Sequence, residues 1–417
     1  MCLFYRFILA IAIAMAQMPT QATEEVDPLS LESAPETTPE AVTNTKVFVE
    51  GAWGSQRDLS DDRDMGRASI DFSHASRLAP HLRGVLSDRV DHLYPTDSGA
   101  DSTVNSLREA YVSWQPDGDN TVVELGRINL RYGPAYGYNP TDFFRGGSLR
   151  TLTSTNPFAM RDNRLGSVML RSQRLWVGGS LSVAYSPKLE DQPNPGGWNL
   201  DWGATNNRRR GVIELSTQFS PRVSSQILVY KEQDQSATVG ASLTALVSDA
   251  AVAYVEGSRG KAVNLLSRAL ALPDTATVRN RFSGGATHTT LGKLSVTAEY
   301  QYNGFGVQPS DWDALENAPE AKMAYLMHAQ RYQELVPRQA YLLYLTQKSL
   351  WVKDLDWTAF VRVNAQDNSQ MYWMEWRNHW PKFDMALQWQ QYSGKSGSEY
   401  GLIPDSRTVQ LLASYYF

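Results

Sequence analysis

The 417-residue chain has one cysteine, Cys2, and it precedes an apolar run from Phe7 to Ala16 that follows the positive charge of Arg6. Small residues come after the run, as at the cleavage site of a signal peptide. We therefore expect residues 1–22 to be removed after export, with cleavage after Ala16 as an alternative. The remaining chain then has no cysteine, which excludes disulfides, a thiol nucleophile and a thiolate metal site.

Long hydrophobic runs are also absent. Outside the leader, no stretch approaches the roughly 18 apolar residues that a membrane-spanning helix needs. The mean hydropathy is −0.39 and 20% of the residues are charged, values that resemble those of a soluble protein. The chain nevertheless has 12 Trp, 20 Tyr and 13 Phe. A transmembrane β-barrel combines these properties, because it places apolar residues at alternate positions and concentrates aromatic residues at both membrane interfaces.

Motifs for catalysis and nucleotide binding are missing. No phosphate-binding glycine loop is present, and the histidines are scattered without metal-ligand spacing. The six histidines are His74, His81, His92, His288, His328 and His379. We therefore expect no enzyme activity, no cofactor and no bound nucleic acid.

Positive charge is absent from residues 23–44, which contain six acidic residues and many Pro, Thr and Ser. Such a segment cannot bury a core, so we expect a disordered acidic tail in the periplasm. The net charge of the whole chain is −5. Without the leader and this tail, residues 45–417 are formally neutral, and we assign them to a single barrel.

A repeated period-two pattern fills residues 45–417. From Leu294 to Tyr302, for example, apolar residues alternate with Ser, Thr, Glu and Gln. The same alternation recurs at 175–185, 213–219, 355–363, 383–389 and 409–417. In a strand, alternate side chains face opposite sides of the sheet, so each segment predicts a strand with one apolar face. A soluble β-sandwich would show this pattern too.

Segment length and loop length favour a membrane barrel over the sandwich. The apolar segments run about nine to eleven residues, which is enough to cross a bilayer at a tilt. Short turns alternate with long connections, as in bacterial barrels with periplasmic turns and external loops. We count about 18 strands and predict an all-β, antiparallel up-and-down transmembrane barrel. A lumen of that size can hold water unless loops fill it.

Two stretches, Arg108–Val112 and Leu125–Arg127, precede a long loop, and the chain ends in the strand Leu411–Phe417. In these features the sequence resembles Gram-negative outer-membrane porins and alginate-export-type barrels. The resemblance covers about residues 108–174 and the last strand. It implies an outer-membrane location, contact with membrane lipid and lipopolysaccharide, and an assembly signal at Tyr415 and Phe417 for the outer-membrane assembly machinery.

The segment from Arg127 to Arg174 has eight arginines, no lysine and two acids. We predict a β-bulge at Gly126 that turns the polar residues inward and leaves Ile128, Leu130 and Tyr132 facing lipid. Loop 133–166 is too long for an ordinary connection, and we expect it to fold into the lumen. The pore-lining or substrate-binding candidates are Glu124, Arg127, Asn129, Arg131, Arg145, Arg150, Arg161, Arg164 and Arg171.

Alternatives exist for this segment. The loop could be external, with its arginines bound to lipopolysaccharide phosphates or paired with neighbouring acids. Phe143 and Phe144 either pack the loop against the wall or guide a sugar. A helical loop is expected near 310–335, with Ser310 capping a first turn and Pro319 starting a helix to about Leu335. A short helix is also expected within 262–272.

The sequence thus predicts a channel for passive transport of small solutes, anionic or sugar-like. The arginines would favour anions through the lumen. The alternative is a barrel without an open pore that binds partners or supports a secretion or surface-assembly complex.

Overall fold

The structure, a computed structural model, describes residues 44–57, 62–95, 101–116, 118 and 120–417. The predicted signal peptide and the acidic tail up to residue 43 lie outside the described residues. Asn44, predicted as the last residue of the tail, is the first residue of a strand.

Within the described part of the chain, eighteen strands form one antiparallel sheet. They are β1 (Asn44–Arg57), β2 (Asp62–Ala79), β3 (Leu82–Tyr94), β4 (Thr103–Trp114), β5 (Thr121–Ile128), β6 (Ser167–Trp176), β7 (Gly179–Ser186), β8 (Arg210–Ser220), β9 (Val223–Glu232), β10 (Thr238–Ser248), β11 (Ala251–Ala262), β12 (Thr277–Thr289), β13 (Leu294–Asn303), β14 (Gln339–Gln347), β15 (Leu355–Asn364), β16 (Gln370–Trp380), β17 (Phe383–Ser393) and β18 (Arg407–Tyr416).

The sheet closes on itself, because β1 pairs with both β2 and β18. Phe48 lies opposite Asp71 on one side and Tyr416 on the other. Closure leaves no strand edge without a hydrogen-bonding partner, as a wall inside a bilayer requires. The predicted barrel class and the predicted strand number are both confirmed.

The two faces of the wall differ as the sequence pattern predicts. On β7, Leu181 and Val183 are exposed, whereas Ser180 and Ser182 are buried. The outer face is therefore apolar and the inner face polar, which suits a surface in contact with lipid around an interior that holds polar groups. Among the described residues, no helix combines the length and apolarity needed to cross a bilayer.

Loop lengths also alternate. Turns 80–81, 177–178, 221–222, 249–250 and 381–382 lie at one end of the barrel, and connections 129–166, 187–209, 304–338 and 394–406 lie at the other. We call these ends the short-turn end and the long-loop end.

Helices occur in the long connections. They are α1 (Pro157–Asp162), α2 (Trp202–Thr205), α3 (Leu265–Ala269), α4 (Pro309–Ala314) and α5 (Pro319–Arg331), with a 3-10 turn at Leu315–Asn317. The predicted helical loop, the start at Pro319 and the short helix within 262–272 are confirmed.

Two details of the helical loop were predicted wrongly. Ser310 does not cap α4, because Pro309 already occupies the first helical turn and Gln308 stands at the cap position. Proline fits that first position since its φ is pre-set for a helix. Helix α5 ends at Arg331 rather than near Leu335, because Gln333 has a φ of 51°, which a right-handed helix cannot contain.

The expected bulge at Gly126 is also wrong. The ladders of β5 with β4 and β6 run through Gly126 without a shift of register. The glycine has a φ of 139°, and a side chain there would collide with the backbone of Ala110 and Tyr111. It therefore serves a close approach of two strands.

Candidate constriction inside the barrel

Connection 129–166, which we call the inserted loop, crosses the interior of the barrel. The backbone N–H groups of Tyr136 and Gly137 donate to the carboxylate of Glu299 on β13, at 2.7 and 3.0 Å. Arg362 on β15 donates to the carbonyl oxygen of Gly137 at 2.9 Å. Further along the loop, Thr155 bonds Gln390 on β17 at 2.5 Å. Contacts with strands so far apart place the loop inside the wall.

A buried carboxylate of the inner wall anchors the loop. Glu256 on β11 accepts hydrogen bonds from the side chains of Asn139, at 3.1 Å, and Thr141. Gly133, with a φ of 85°, passes so close to Glu256 that a side chain there would collide with it. The turn of the loop therefore requires glycine at this position.

Aromatic packing also fixes the loop against β8 and β9. Phe143 stacks on Tyr230 of β9 with ring centroids 4.6 Å apart. Phe144 is buried beneath the guanidinium of Arg210 at 4.6 Å. Both rings pack the loop against the wall, as the first of the two interpretations predicted.

Apolar residues at the start of the loop belong to the same packing. Ile128, Leu130 and Tyr132 are buried in one cluster with Met169 and Leu228 of the inner wall. The prediction that they face lipid is wrong, because the chain leaves the wall after Ile128 and carries them inside.

Three candidate arginines hold the loop in shape. Arg164, 1% exposed, bonds Asp142 at 2.6 Å and the carbonyl oxygen of Leu130 at 2.8 Å. Arg161 donates to the carbonyl oxygen of Tyr132. Arg145 forms an ion pair with Glu334 at 3.2 Å. These buried charges satisfy acids and backbone oxygens, so they do not line an open pathway.

The ion pair of Arg145 joins the inserted loop to the helical loop 304–338. Burial alone would raise the pKa of Glu334, but Arg281 and Arg145 lower it to about 2. The backbone N–H of Gly147 also donates to the carbonyl oxygen of Arg331 at 3.0 Å. An ion pair and a hydrogen bond therefore join the inserted loop to the helical loop.

Arg127 lies on the outer face of the wall, contrary to the prediction. It stands two residues from Leu125, which is exposed on that face, and side chains two apart in a strand share a face. Its guanidinium donates to the carbonyl oxygen of Leu200 at 2.8 Å and lies 4.6 Å over the ring of Trp202. Arg127 is 1% exposed because connection 187–209, which we call the cover loop, lies over it.

The cover loop takes the place of a missing strand segment. The ladder between β4 and β5 ends at Ala110 and Arg127. Beyond that point, the backbone N–H of Asn105 on β4 donates to the carbonyl oxygen of Gly197 at 2.7 Å. Arg150 of the inserted loop donates to the carbonyl oxygens of Asn105 and Gly196, each at 2.8 Å. Arg127 and Arg150 thus complete the hydrogen bonding of a strand edge.

The remaining candidates face the interior. Arg171 and Glu124 form an ion pair at 2.9 Å on the inner wall. Asn129 accepts a hydrogen bond from Arg164 at 2.7 Å. Arg131 pairs with Asp162 at 2.5 Å, and their side chains are 40% and 65% exposed. Of the nine candidates, Arg131 has the most accessible charge.

Phe158 was not among the candidates. It lies four residues before Asp162 on α1, so both side chains share one helix face, and it is 39% exposed. Its ring packs on Tyr136 and Tyr344. The sequence held a signal for α1, since Asn156 caps the helix and Pro157 starts it. We call Arg131, Phe158 and Asp162 the constriction face.

The inner wall also carries matched charges on β1 to β4 and on β16. Glu50 on β1 accepts from Arg67 at 2.6 Å and from Arg89 at 2.9 Å. Arg108 bonds Asp71 at 2.6 Å. On β16, Arg377 bonds Glu375 at 2.9 Å. The sequence did not reveal these pairs, because their partners lie on different strands or at alternate positions of one strand.

Tyr415 and Phe417 are exposed, and their rings are 5.1 Å apart. Tyr415 lies on the outer face of β18 with Leu411, and Phe417 follows the last residue of that strand. Their role as an assembly signal stays a prediction.

Neither a family model nor a curated protein matches this sequence. The fold, by contrast, matches solved structures. The crystal structure of OccAB1 from Acinetobacter baumannii has a TM-score of 0.57 and 11% identity, covering 90% of this chain and 96% of that chain. OccK11 (OpdR) and OccK8 (OprE) from Pseudomonas aeruginosa have TM-scores of 0.57 and 0.55, each at 10% identity. Both matches cover 90% of this chain. They cover 96% of OccK11 and 98% of OccK8. These structures are outer-membrane porins, so the predicted resemblance to porins is confirmed as a likeness of fold.

Proposed function

We propose that the chain is a porin-type channel of the outer membrane, exported there by its leader, that lets small polar solutes cross passively. The observation that carries the proposal is the inserted loop. It narrows a closed barrel with a polar inner face and leaves the constriction face exposed. A loop that only stabilised a solid barrel would have no need to present Arg131, Phe158 and Asp162 to solvent.

The constriction face favours the sugar-like solutes over the anionic ones. The charge of Arg131 is matched by Asp162, and that of Arg171 by Glu124. A matched pair presents donors and acceptors without a large net field. Phe158 adds an exposed aromatic ring, against which the apolar face of a sugar can pack. Anion preference is the second candidate, since the guanidinium of Arg131 is accessible.

This function needs no catalysis and no cofactor, because a filter of this kind acts by size and by the charges that line it. The acidic segment 23–43 and the exposed rings of Tyr415 and Phe417 would serve outside the pore. We propose the first as a periplasmic tail and the second as the signal read by the assembly machinery.

Single-channel recording in planar bilayers tests the proposal. Purified, heat-modifiable protein should give discrete conductance steps, and proteoliposomes should swell in neutral hexoses. The steps should be smaller than those of an open barrel of 18 strands, because the inserted loop occupies part of the lumen. A correctly folded barrel without conductance would overturn the channel and support the non-conducting alternative, a binding or structural barrel.

A further inference from the structure

Three cations stand on the outer surface of the barrel near the long-loop end. Lys231 lies on β9, and Arg259 and Lys261 lie on β11; all three are exposed. Their orientation follows from their neighbours. Tyr230 packs on Phe143 inside the barrel, and Glu256 holds the inserted loop. Since side chains alternate along a strand, Lys231, Arg259 and Lys261 point outward.

The three side chains lie close together. Val229, Val239 and Arg259 are cross-strand neighbours in one row over β9, β10 and β11. Lys231 and Lys261 each lie two residues beyond that row on their own strands, toward the long-loop end. With adjacent strands about 4.8 Å apart and two residues spanning about 6.7 Å, the three positions fit within about 12 Å.

Acids do not neutralise this group. Within the described residues, no carboxylate forms an ion pair with Lys231, Arg259 or Lys261. Lys231 donates to the carbonyl oxygen of Gln235, and Arg259 donates to the side chain of Asn280 at 3.2 Å. The three cations therefore keep their charge available at the surface.

Some exposed arginines of the barrel do have acidic partners. Arg63 pairs with Asp405 at 3.1 Å, and Arg222 pairs with Asp249 at 3.4 Å. Glu232, next to Lys231 in the chain, points inward and pairs with Arg208 at 2.7 Å. Lys231, Arg259 and Lys261 therefore place three unmatched positive charges close together on one sector of the outer surface.

An apolar surface continues directly below the cations. Val229 and Val239 are exposed in the same row as Arg259, and Val278 is exposed opposite Lys261. Ile227 and Leu243 are exposed nearer the middle of the wall. A ligand of this sector would thus meet positive charge at the long-loop end and an apolar surface below it. A membrane lipid with an anionic head and acyl chains has that arrangement.

We infer that Lys231, Arg259 and Lys261 form a binding site for the phosphate groups of lipopolysaccharide in the outer leaflet. Lysine and arginine bind phosphate oxygens through charge-assisted hydrogen bonds. The acyl chains of the same lipid lie against the valines and the residues below them. The inference rests on the proposed outer-membrane location with the long loops outside, but it does not require that the barrel conducts.

The test compares two triple variants purified from outer membranes. The first carries Lys231→Ala, Arg259→Ala and Lys261→Ala. The control carries Arg222→Ala, Lys353→Ala and Lys382→Ala, which removes three exposed cations at the short-turn end. Mass spectrometry counts the lipid A retained per protein. The first variant should retain about tenfold less than wild type, whereas the control should match wild type. Heat-modifiability shows that each variant is folded.

A second measurement distinguishes the sources of phosphate. Lipid-free, refolded protein is titrated with phosphorylated lipid A, with lipid A stripped of its phosphates, and with inorganic phosphate. Tight binding of the phosphorylated lipid alone supports the site. Equal binding of the stripped lipid, equal binding of inorganic phosphate, or unchanged lipid retention by the first variant would each overturn it. Conductance recorded from the same preparations reports on the channel separately.

Discussion

The guanidinium of Arg150 donates to the carbonyl oxygen of Asn105 at 2.8 Å, at a strand edge where the backbone of a neighbouring strand would normally bond. The same side chain reaches Gly196 of the cover loop. One arginine therefore joins the inserted loop, the wall and the cover loop.

Arg150→Ala should loosen this junction. It removes the donor from the oxygen of Asn105, and an unsatisfied buried carbonyl costs about 1–3 kcal/mol. We expect the cover loop to be cut faster by protease and the heat-modifiable form to unfold at lower temperature. Arg174→Ala, on an exposed side chain of β6 near the short-turn end, is the control. Equal protease resistance of both variants would show that Arg150 does not hold the cover loop.

A pH dependence is expected for loop 394–406 at the long-loop end. The carboxylate of Glu399 accepts from Asn364 at 2.8 Å, and its backbone N–H donates to Asp367 at 2.8 Å. Burial and the nearby charge of Asp367 raise the pKa of Glu399 from 4.5 to about 7, against a smaller opposing effect of Arg362. A raised carboxyl pKa means that the folded loop binds the proton more tightly than the unfolded one. The contribution of Glu399 to stability is thus complete below about pH 4.5 and is lost as the pH rises through 7.

Hydrogen exchange of loop 394–406, corrected for intrinsic rates, measures this effect. Protection should be stronger at pH 5 than at pH 8 in the wild type, and it should lose this dependence in Glu399→Gln. The ion pair between Arg145 and Glu334 offers an internal control. The pKa of Glu334 is about 2, so its carboxylate stays charged throughout that range. A wild-type loop with equal protection at both pH values would contradict the assignment.

Phe158→Ala tests the proposal that the solutes are sugar-like. Loss of the ring widens the constriction and should speed all small solutes, but it also removes a surface for sugar packing. The informative quantity is therefore the swelling rate in a hexose divided by that in a zwitterion of similar size. We expect this ratio to fall about twofold or more, in line with the strength of aromatic contacts. Leu152→Ala removes another exposed apolar side chain of the inserted loop and should leave the ratio unchanged. An equal ratio in wild type and Phe158→Ala would speak against a sugar contact at this ring.

The barrel could be predicted from the sequence because its evidence is local. Alternation within each strand and the parity of loop lengths need no knowledge of distant contacts. The prediction of a bulge at Gly126 failed for a physical reason. Ile128, Leu130 and Tyr132 are apolar whether they face lipid or pack inside, and only the path of the chain after Ile128 decides between the two.

The arginines could not be sorted from the sequence either. A local excess of positive charge does not show that Glu334 neutralises Arg145. Nor does it show that backbone oxygens accept hydrogen bonds from Arg150 and Arg127. Those partners come from chain segments 45 to 189 residues away, brought close by closure of the barrel. Arg131 differs because its partner, Asp162, lies in the same loop and is itself exposed.

Ion selectivity provides the sharpest test of the constriction face. Arg131→Ala leaves Asp162 without its partner and should shift the reversal potential toward cations. Asp162→Asn leaves Arg131 unmatched and should shift it toward anions by a similar amount. The double variant should lie near wild type, since the pair has little net charge. All shifts should shrink at high salt, because the Debye length falls from about 10 Å at 0.1 M to about 3 Å at 1 M. Arg174→Ala removes a charge from the outer face and should change nothing. If all four variants share the wild-type reversal potential at low salt, Arg131 and Asp162 do not border the pathway of the ions.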